Sequence, residues 1–163
     1  MLSAIKDQHL DAVLQLNNDH AQETSELDHA GLRGLVEASF LALQVEEGAG
    51  GFLLAVNQDA LYDSPNFLWF RERYERFIYV DRIIVSSDQR GKGYARRFYE
   101  ALFEKARMAG YAMVTCEVNI SPPNPASDAF HQQMGFIDVG QAELLEREKK
   151  VRYLIKTIDP STP

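Results

Sequence analysis

The chain has 163 residues, 45% hydrophobic and 25% charged, with a formal net charge of −7. That is enough for one domain with its own core, and no apolar run approaches the roughly 20 residues of a membrane span. The acidic balance argues against nucleic acid as a general partner and favours a cationic ligand. The single cysteine, Cys116, rules out an intrachain disulfide, and the four histidines (His9, His20, His29, His131) are scattered without metal-ligand spacing, so no metal is expected. The opening residues MLSAIKDQHLDAV lack the basic start and long apolar stretch of a signal peptide, so a reducing, cytoplasmic setting is expected.

In chain order, a short strand is predicted over residues 2–5 and a helix over 7–17, with Leu10, Val13 and Leu14 on its apolar side. Asn17, Asn18, Asp19 and His20 form a polar loop before a second helix over 26–38. Strands at 40–46 and 51–57 flank Glu47-Gly48-Ala49-Gly50, which reads as a hairpin turn. Residues 59–76 are long for a connection; Ser64-Pro65 suits the start of a short helix carrying Phe67, Trp69, Phe70 and Tyr74. Residues 77–85 read as a buried, β-branched strand. The helix that follows the next polar break places Phe98, Leu102 and Ala106 at helical spacing and stops at Gly110. A further buried strand at 111–118 and a proline-rich break at 121–125 follow. A helix at 126–133, stopped by Gly135, leads into an antiparallel pair at 136–143 and 149–158. Residues 1–158 are expected to form a single domain and 159–163 a frayed tail.

Between the buried strand and its helix the chain reads Arg90-Gly91-Lys92-Gly93-Tyr94-Ala95. A glycine turn opening a helix leaves backbone N–H groups unpaired, and with the helix dipole they make an anion site. Gly91 and Gly93 remove the Cβ atoms that would hold a phosphate away, so a phosphorylated ligand is expected here. Two other readings stand beside it. One is a plain strand-to-helix turn with solvated charges. The other is a dinucleotide G-x-G-x-x-G fingerprint with Glu117 as ribose partner; against it, Arg96 occupies the third-glycine position and too little chain follows to complete such a sheet.

The loop resembles the acyl-CoA pyrophosphate loop of the GNAT N-acetyltransferase superfamily, Q/R-x-x-G-x-G/A, with Arg90, Gly93 and Ala95 at its defined positions. Residues 124–136 resemble the superfamily segment N-x-x-A-x-x-L-Y-x-x-x-G-F. Asn124, Phe130, Gly135 and Phe136 fall in register, Ser127 takes the small-residue position, and His131 stands where that pattern has tyrosine. The resemblance implies an α/β fold with a mixed, mostly antiparallel sheet, splayed between its fourth and fifth strands and flanked by about four helices. It implies acetyl-CoA in the gap as co-substrate. Contacts to it are implied from the backbone of Ile84 and Val85, from Arg90, Gly91, Lys92, Gly93, Tyr94 and Ala95, and from Asn124, Ser127 and Phe130. A homodimer is an expectation of the resemblance alone.

Acyl transfer from a thioester to an amine needs a neutral amine, a polarised carbonyl and a proton for the sulfur; an alkylammonium titrates near a lysine-like ~10.4, so a base helps. Asp81 aligns with a frequent acidic position of the superfamily and is one candidate base, its plainer role being to pair with Arg82. Glu117 is a second. His131 has the chemistry to replace the tyrosine as general acid, or to pack beside the cofactor. Cys116, mid-strand, reads as inert packing. Asn17, Asn18, Asp19 and His20, with Tyr62, Asn66, Trp69, Arg71 and Tyr74, are candidate acceptor contacts: aromatics and a carboxylate for an ammonium, Arg71 or Arg73 for a carboxylate. A small amine, such as a zwitterionic amino acid, is the expected acceptor. The alternatives are a peptide or protein amine, or a non-catalytic acyl-CoA-binding module.

Overall fold

In the computed structural model, which describes residues 1–22 and 24–159, the alternating apolar segments form one seven-stranded sheet in the order β1-β2-β3-β4-β5-β7-β6. The strands are β1 (Ser3–Ala4), β2 (Leu41–Val45), β3 (Gly51–Asn57), β4 (Ile78–Val85), β5 (Met113–Ser121), β6 (Ile137–Leu144) and β7 (Lys149–Thr157). All neighbours are antiparallel except β4 and β5. The helices are α1 (Leu10–Asp19), α2 (His29–Ala38), α3 (Pro65–Arg71), α4 (Tyr94–Met108) and α5 (Pro125–Gln133), so the long connection holds the short helix its Ser64-Pro65 start suggests. The first helix opens with a 3-10 turn over Asp7–His9, and α2 starts later than its apolar spacing implies. Asp28 caps it, its Oδ1 accepting from the Gly31 N–H at 2.7 Å. Of the tail expected at 159–163, residues 160–163 lie outside the described residues.

Strand β4 determines the architecture of the centre. Ala55 of β3 pairs with Val80 and Leu54 pairs with Arg82, so Asp81 is an extra residue, a β-bulge. Side-chain parity changes there. Before the bulge Phe77 and Tyr79 pack under α3, and Ile78 and Val80 under α4. After it Ile84 joins Phe52 and Leu54 beneath α1 and α2, whereas Ile83 and Val85 turn to the α4 side. An unbulged strand would drive the Arg82 guanidinium into the α4 core.

The parallel β4–β5 pairing lasts only two rungs, Ile78 with Val114 and Tyr79 with Thr115. The Thr115 hydroxyl donates to the Ile78 carbonyl at 3.0 Å on the last of them. Beyond, β5 follows β7 and β4 follows β3, and the sheet parts into a gap. The Ser86 N–H donates to Gly50 O at 3.0 Å, which fixes the antiparallel alternation: residues 84 and 82 turn their backbone polar groups to β3, and Ile83 and Val85 turn theirs to the gap.

Candidate active site

At the end of β4 a 3-10 turn over Ser87–Gln89 leads into the glycine loop. Gly91 and Gly93 have φ of 84° and 80°, the left-handed region that favours glycine. A Cβ added at either would meet no atom within 4 Å, so the space above both is open to an approaching ligand. Gly93 caps α4 without any side-chain hydrogen bond, which leaves the first N–H groups of a fifteen-residue helix for an anion. Arg90, Lys92 and Arg96 are exposed around it, Lys92 Nζ resting on Gln89 Oε1 at 2.8 Å. Tyr94 is buried instead; its hydroxyl donates to Glu46 Oε1 at 3.1 Å, so its side chain anchors the loop.

Inside the gap lies a cavity of about 580 Å³ between β4, β5, α4 and α5. Asn124 caps α5, its Oδ1 accepting from the Ser127 N–H at 3.3 Å, while its Nδ2 faces no described partner. Asn124, Ser127 and His131 line the cavity, whereas Phe130 packs on Tyr99 at 5.9 Å between ring centres. His131 is held at both nitrogens. Nδ1 lies 2.8 Å from Ser127 O, which can only accept, so Nδ1 carries the proton. Nε2, 2.7 Å from the Tyr99 hydroxyl, is then the acceptor, and burial pushes the imidazole pKa down. The neutral ring satisfies both contacts, Nδ1 as donor and Nε2 as acceptor. Tyr99, absent from the sequence reading, stands at the cavity wall as His131's partner.

A second cavity, of about 400 Å³, opens on the other side. It is bounded by the α1–α2 loop (Thr24, Ser25), by Tyr62 and Asn66 of the long connection, and by Arg147 and Lys149 of the β6–β7 turn. The two cavities share Thr24, Asp81, Arg82, Glu117 and Asn119.

The two acidic candidates differ. Asp81 and Arg82 form a buried pair, with side chains 4% and 3% exposed and Nε to Oδ2 at 2.7 Å. Tyr62 donates to the other Asp81 oxygen at 2.6 Å. Arg82 goes on to Asn17 Oδ1 at 2.9 Å and Ser25 O at 3.1 Å, which ties the α1–α2 loop to the bulge. Glu117 is half-buried and lines both cavities; among the described residues it has no cation partner, only neutral donors, Tyr79 at 2.8 Å and Asn66 Nδ2 at 3.0 Å. The protein packed around it pushes its carboxyl up to about 8, the desolvation outweighing those hydrogen bonds. Tyr153 donates to Asn66 Oδ1 at 2.9 Å, which fixes the amide with its NH₂ toward Glu117.

The other expected acceptor residues have structural partners. Asn17 and Asn18 brace their own loop, Asn18 Nδ2 reaching Leu27 O at 3.0 Å. Asp19 is exposed and accepts from Gln15. Trp69 stacks on Tyr153 at 4.2 Å, against Gly140, where a Cβ would come within 2.5 Å of the indole, and Arg73 lies over it at 4.0 Å. Arg71 sits over Phe67, and Tyr74 packs on Phe70. None of Asp19, Trp69, Arg71 and Tyr74 lines either cavity. Ile84 lies in the α1–α2 core with its backbone turned to β3, so Ile83 joins Val85 as the backbone facing the gap.

A sheet parted beside a bulged strand, with an anion-binding helix start at its rim, is an acyl-CoA transferase architecture. The chain belongs to the Acetyltransferase (GNAT) family, whose model matches residues 23–136. A search of curated proteins found no match. Among solved structures, the ribosomal-protein-S18-alanine N-acetyltransferase of Escherichia coli superposes with a TM-score of 0.71 at 15% identity, covering 99% of this chain and 96% of its own. NAA60 of Arabidopsis thaliana, in complex with a bisubstrate analogue, gives 0.75 at 13% identity, covering 99% of each chain. The NatC complex bound to Gag peptide and CoA gives 0.72 at 14%, covering 97% of this chain and 98% of its own. At these identities the likeness is one of fold.

Proposed function

We propose that this protein is an acetyl-CoA-dependent N-acetyltransferase acting on the primary amine of a small acceptor, with Glu117 as the base. The observation that carries the reading is the position of Glu117: among the described residues, it is the carboxyl lining both cavities that has no cation partner, and it is pushed up to about 8. Bound acetyl-CoA supplies the activated acetyl thioester. The chain's own residues do the rest. The glycine loop and the start of α4 bind phosphate oxygens, and Asn124 Nδ2 offers a hydrogen bond to the arm that enters the gap. The N–H groups of Ile83 and Val85 face the gap, where they would polarise a carbonyl. Ionised Glu117 accepts the proton an ammonium must lose, and Tyr79 and Asn66 hold its oxygens. At the opposite wall the Tyr99 hydroxyl donates to His131 Nε2 and would have to turn toward the gap to give its proton to a leaving thiolate. This replaces the expectation of an imidazolium there. Asp81, taken up by Arg82 and Tyr62, positions the bulge.

A small acceptor fits better than a peptide because the second cavity is tied shut on two sides. Arg82 holds Ser25, and Lys149 Nζ donates to Thr24 O at 3.0 Å across from the β6–β7 turn. A reducing, cytoplasmic setting accords with the free, buried Cys116. The test is release of CoA thiol from acetyl-CoA with amino acids, polyamines, amino sugars and short peptides, beside calorimetric titration of acetyl-CoA. Turnover that depends on a small amine is expected. Turnover on peptides alone would move the acceptor class, binding without turnover would leave a CoA-binding module, and no binding would overturn the reading.

A further inference from the structure

Charge in the acceptor cavity is unevenly distributed. Among the described residues, only two carboxyls line it, Asp81 and Glu117. Asp81 is paired with Arg82, whose guanidinium is itself fully committed to Asp81, Asn17 and both oxygens of Ser25. Glu117, raised to about 8, is held by neutral donors and is the group that ionises to act as base. Two further cations line the cavity, Arg147 and Lys149, both from the β6–β7 turn. Lys149 reaches across to Thr24 O, whereas Arg147 makes no hydrogen bond or ion pair with any described residue. Among the described residues lining the cavity, Arg147 is thus the cation left without a partner, opposite in sign to the whole chain.

An alkylammonium alone gains nothing from that guanidinium. The acidic side chains of the region lie elsewhere: Glu26 and Glu148 line the groove on one side of the turn, and Asp63, Glu143 and Glu146 line the groove on the other. Arg147 borders all three spaces, so it stands where the acceptor cavity opens outward. It is also presented firmly. The 3-10 turn over Leu145–Arg147 closes with Glu148 in the left-handed region at φ 52°, and Lys149 ties the turn to the α1–α2 loop. A guanidinium offers a planar fork of donors matched to the oxygens of a carboxylate or a phosphate.

We propose, resting on the transferase reading above, that the acceptor is an amine that also carries an anionic oxygen group, and that Arg147 holds that group at the cavity mouth while the amine points to Glu117. Arg147 is then a specificity residue for the acceptor. The arginines suggested by the sequence, Arg71 and Arg73, lie over Phe67 and Trp69 instead.

The test uses matched acceptor pairs that differ only in the anion: an amino acid against its carboxamide, and an aminoalkyl phosphate against the parent amino alcohol. Thiol release is measured with wild type, Arg147→Gln and Arg147→Lys. Wild type is expected to favour the anionic member, chiefly through KM. In Arg147→Gln the ratio of kcat/KM for anionic over neutral member should fall about tenfold, the scale of one charge-assisted hydrogen bond, with Arg147→Lys recovering part of it. The pair showing the larger ratio tells carboxylate from phosphate. Taking this ratio within each protein cancels the amines' own pKa differences. Equal or better use of neutral amines, or a ratio that survives Arg147→Gln, would overturn the inference and leave the transferase reading standing. Acetyl-CoA binding without turnover of any pair would also overturn it, and absence of acetyl-CoA binding would remove both.

Discussion

Glu117 has the features a general base needs: access to both cavities, no cation to hold it ionised, and neutral donors that position its oxygens. Glu117→Gln should lower kcat/KM by about 10²–10⁴ while leaving the acetyl-CoA dissociation constant from calorimetry within a factor of about two. The donors set where the base titrates. Both hydrogen bonds favour the charged carboxylate, so removing either moves its pKa further above about 8. The alkaline rise of kcat/KM should shift upward in Asn66→Ala and further in Tyr79→Phe, whose bond is the larger influence; unshifted profiles would separate these residues from the base. The sequence named both acids and put Asp81 first; what distinguishes them is pairing across the fold. Asp81 meets Tyr62, nineteen positions away, and Glu117 meets Asn66, fifty-one away. One local sign was present, two adjacent charged residues in an otherwise apolar strand, which is how a bulge is spelled when both must leave the α4 core.

The bulge in β4 and the glycine loop govern separate halves of the site. Asp81→Asn would leave the Arg82 guanidinium buried beside a neutral amide. Loss of that pair should cost about 3–5 kcal/mol in denaturant unfolding and loosen the α1–α2 loop. A variant with wild-type stability and no activity would instead return Asp81 to chemistry. In the loop, Gly93→Ala should cost about 1–2 kcal/mol for its left-handed backbone, since no protein atom opposes the new methyl. It should also weaken acetyl-CoA binding about tenfold or more through close approach of the phosphates; unaltered affinity would place the pyrophosphate elsewhere. The loop and the Asn124 segment were legible in the sequence because each is local, a run of adjacent residues whose backbone makes the contact. The acceptor cavity was legible only in part: Tyr62 and Asn66 were among the candidates, whereas Thr24 and Arg147 come from distant connections. The aromatics of α3, prominent in the sequence, turn out to pack on β7 rather than to face a ligand.

At the scale of the molecule, order and type of the elements were readable from periodicity, and the parting of the sheet followed from the family resemblance. The sites of individual acceptor contacts did not follow from either. A base with a raised pKa also marks the stability of the whole protein. The folded carboxyl titrates at about 8 against an ordinary 4.5, so the folded state binds more protons between those values. Its contribution is fully present below about 4.5 and is lost as pH rises through about 8, with a slope approaching about 1.4 kcal/mol per pH unit. Thermal unfolding from pH 5 to 9 should therefore show Glu117→Gln gaining on wild type as pH rises. A constant difference would mean that the carboxyl is not held neutral.

The most direct measurement is acceptor-dependent CoA-thiol release from acetyl-CoA, followed from pH 6 to pH 9.5 with wild type and Glu117→Gln side by side. The acceptor's own titration is common to both proteins and cancels in the ratio of their rates. The account predicts that this ratio climbs with pH and levels off above about 8, where Glu117 is ionised. A flat ratio near one, or the absence of any acceptor-dependent release from a protein that folds, would contradict it.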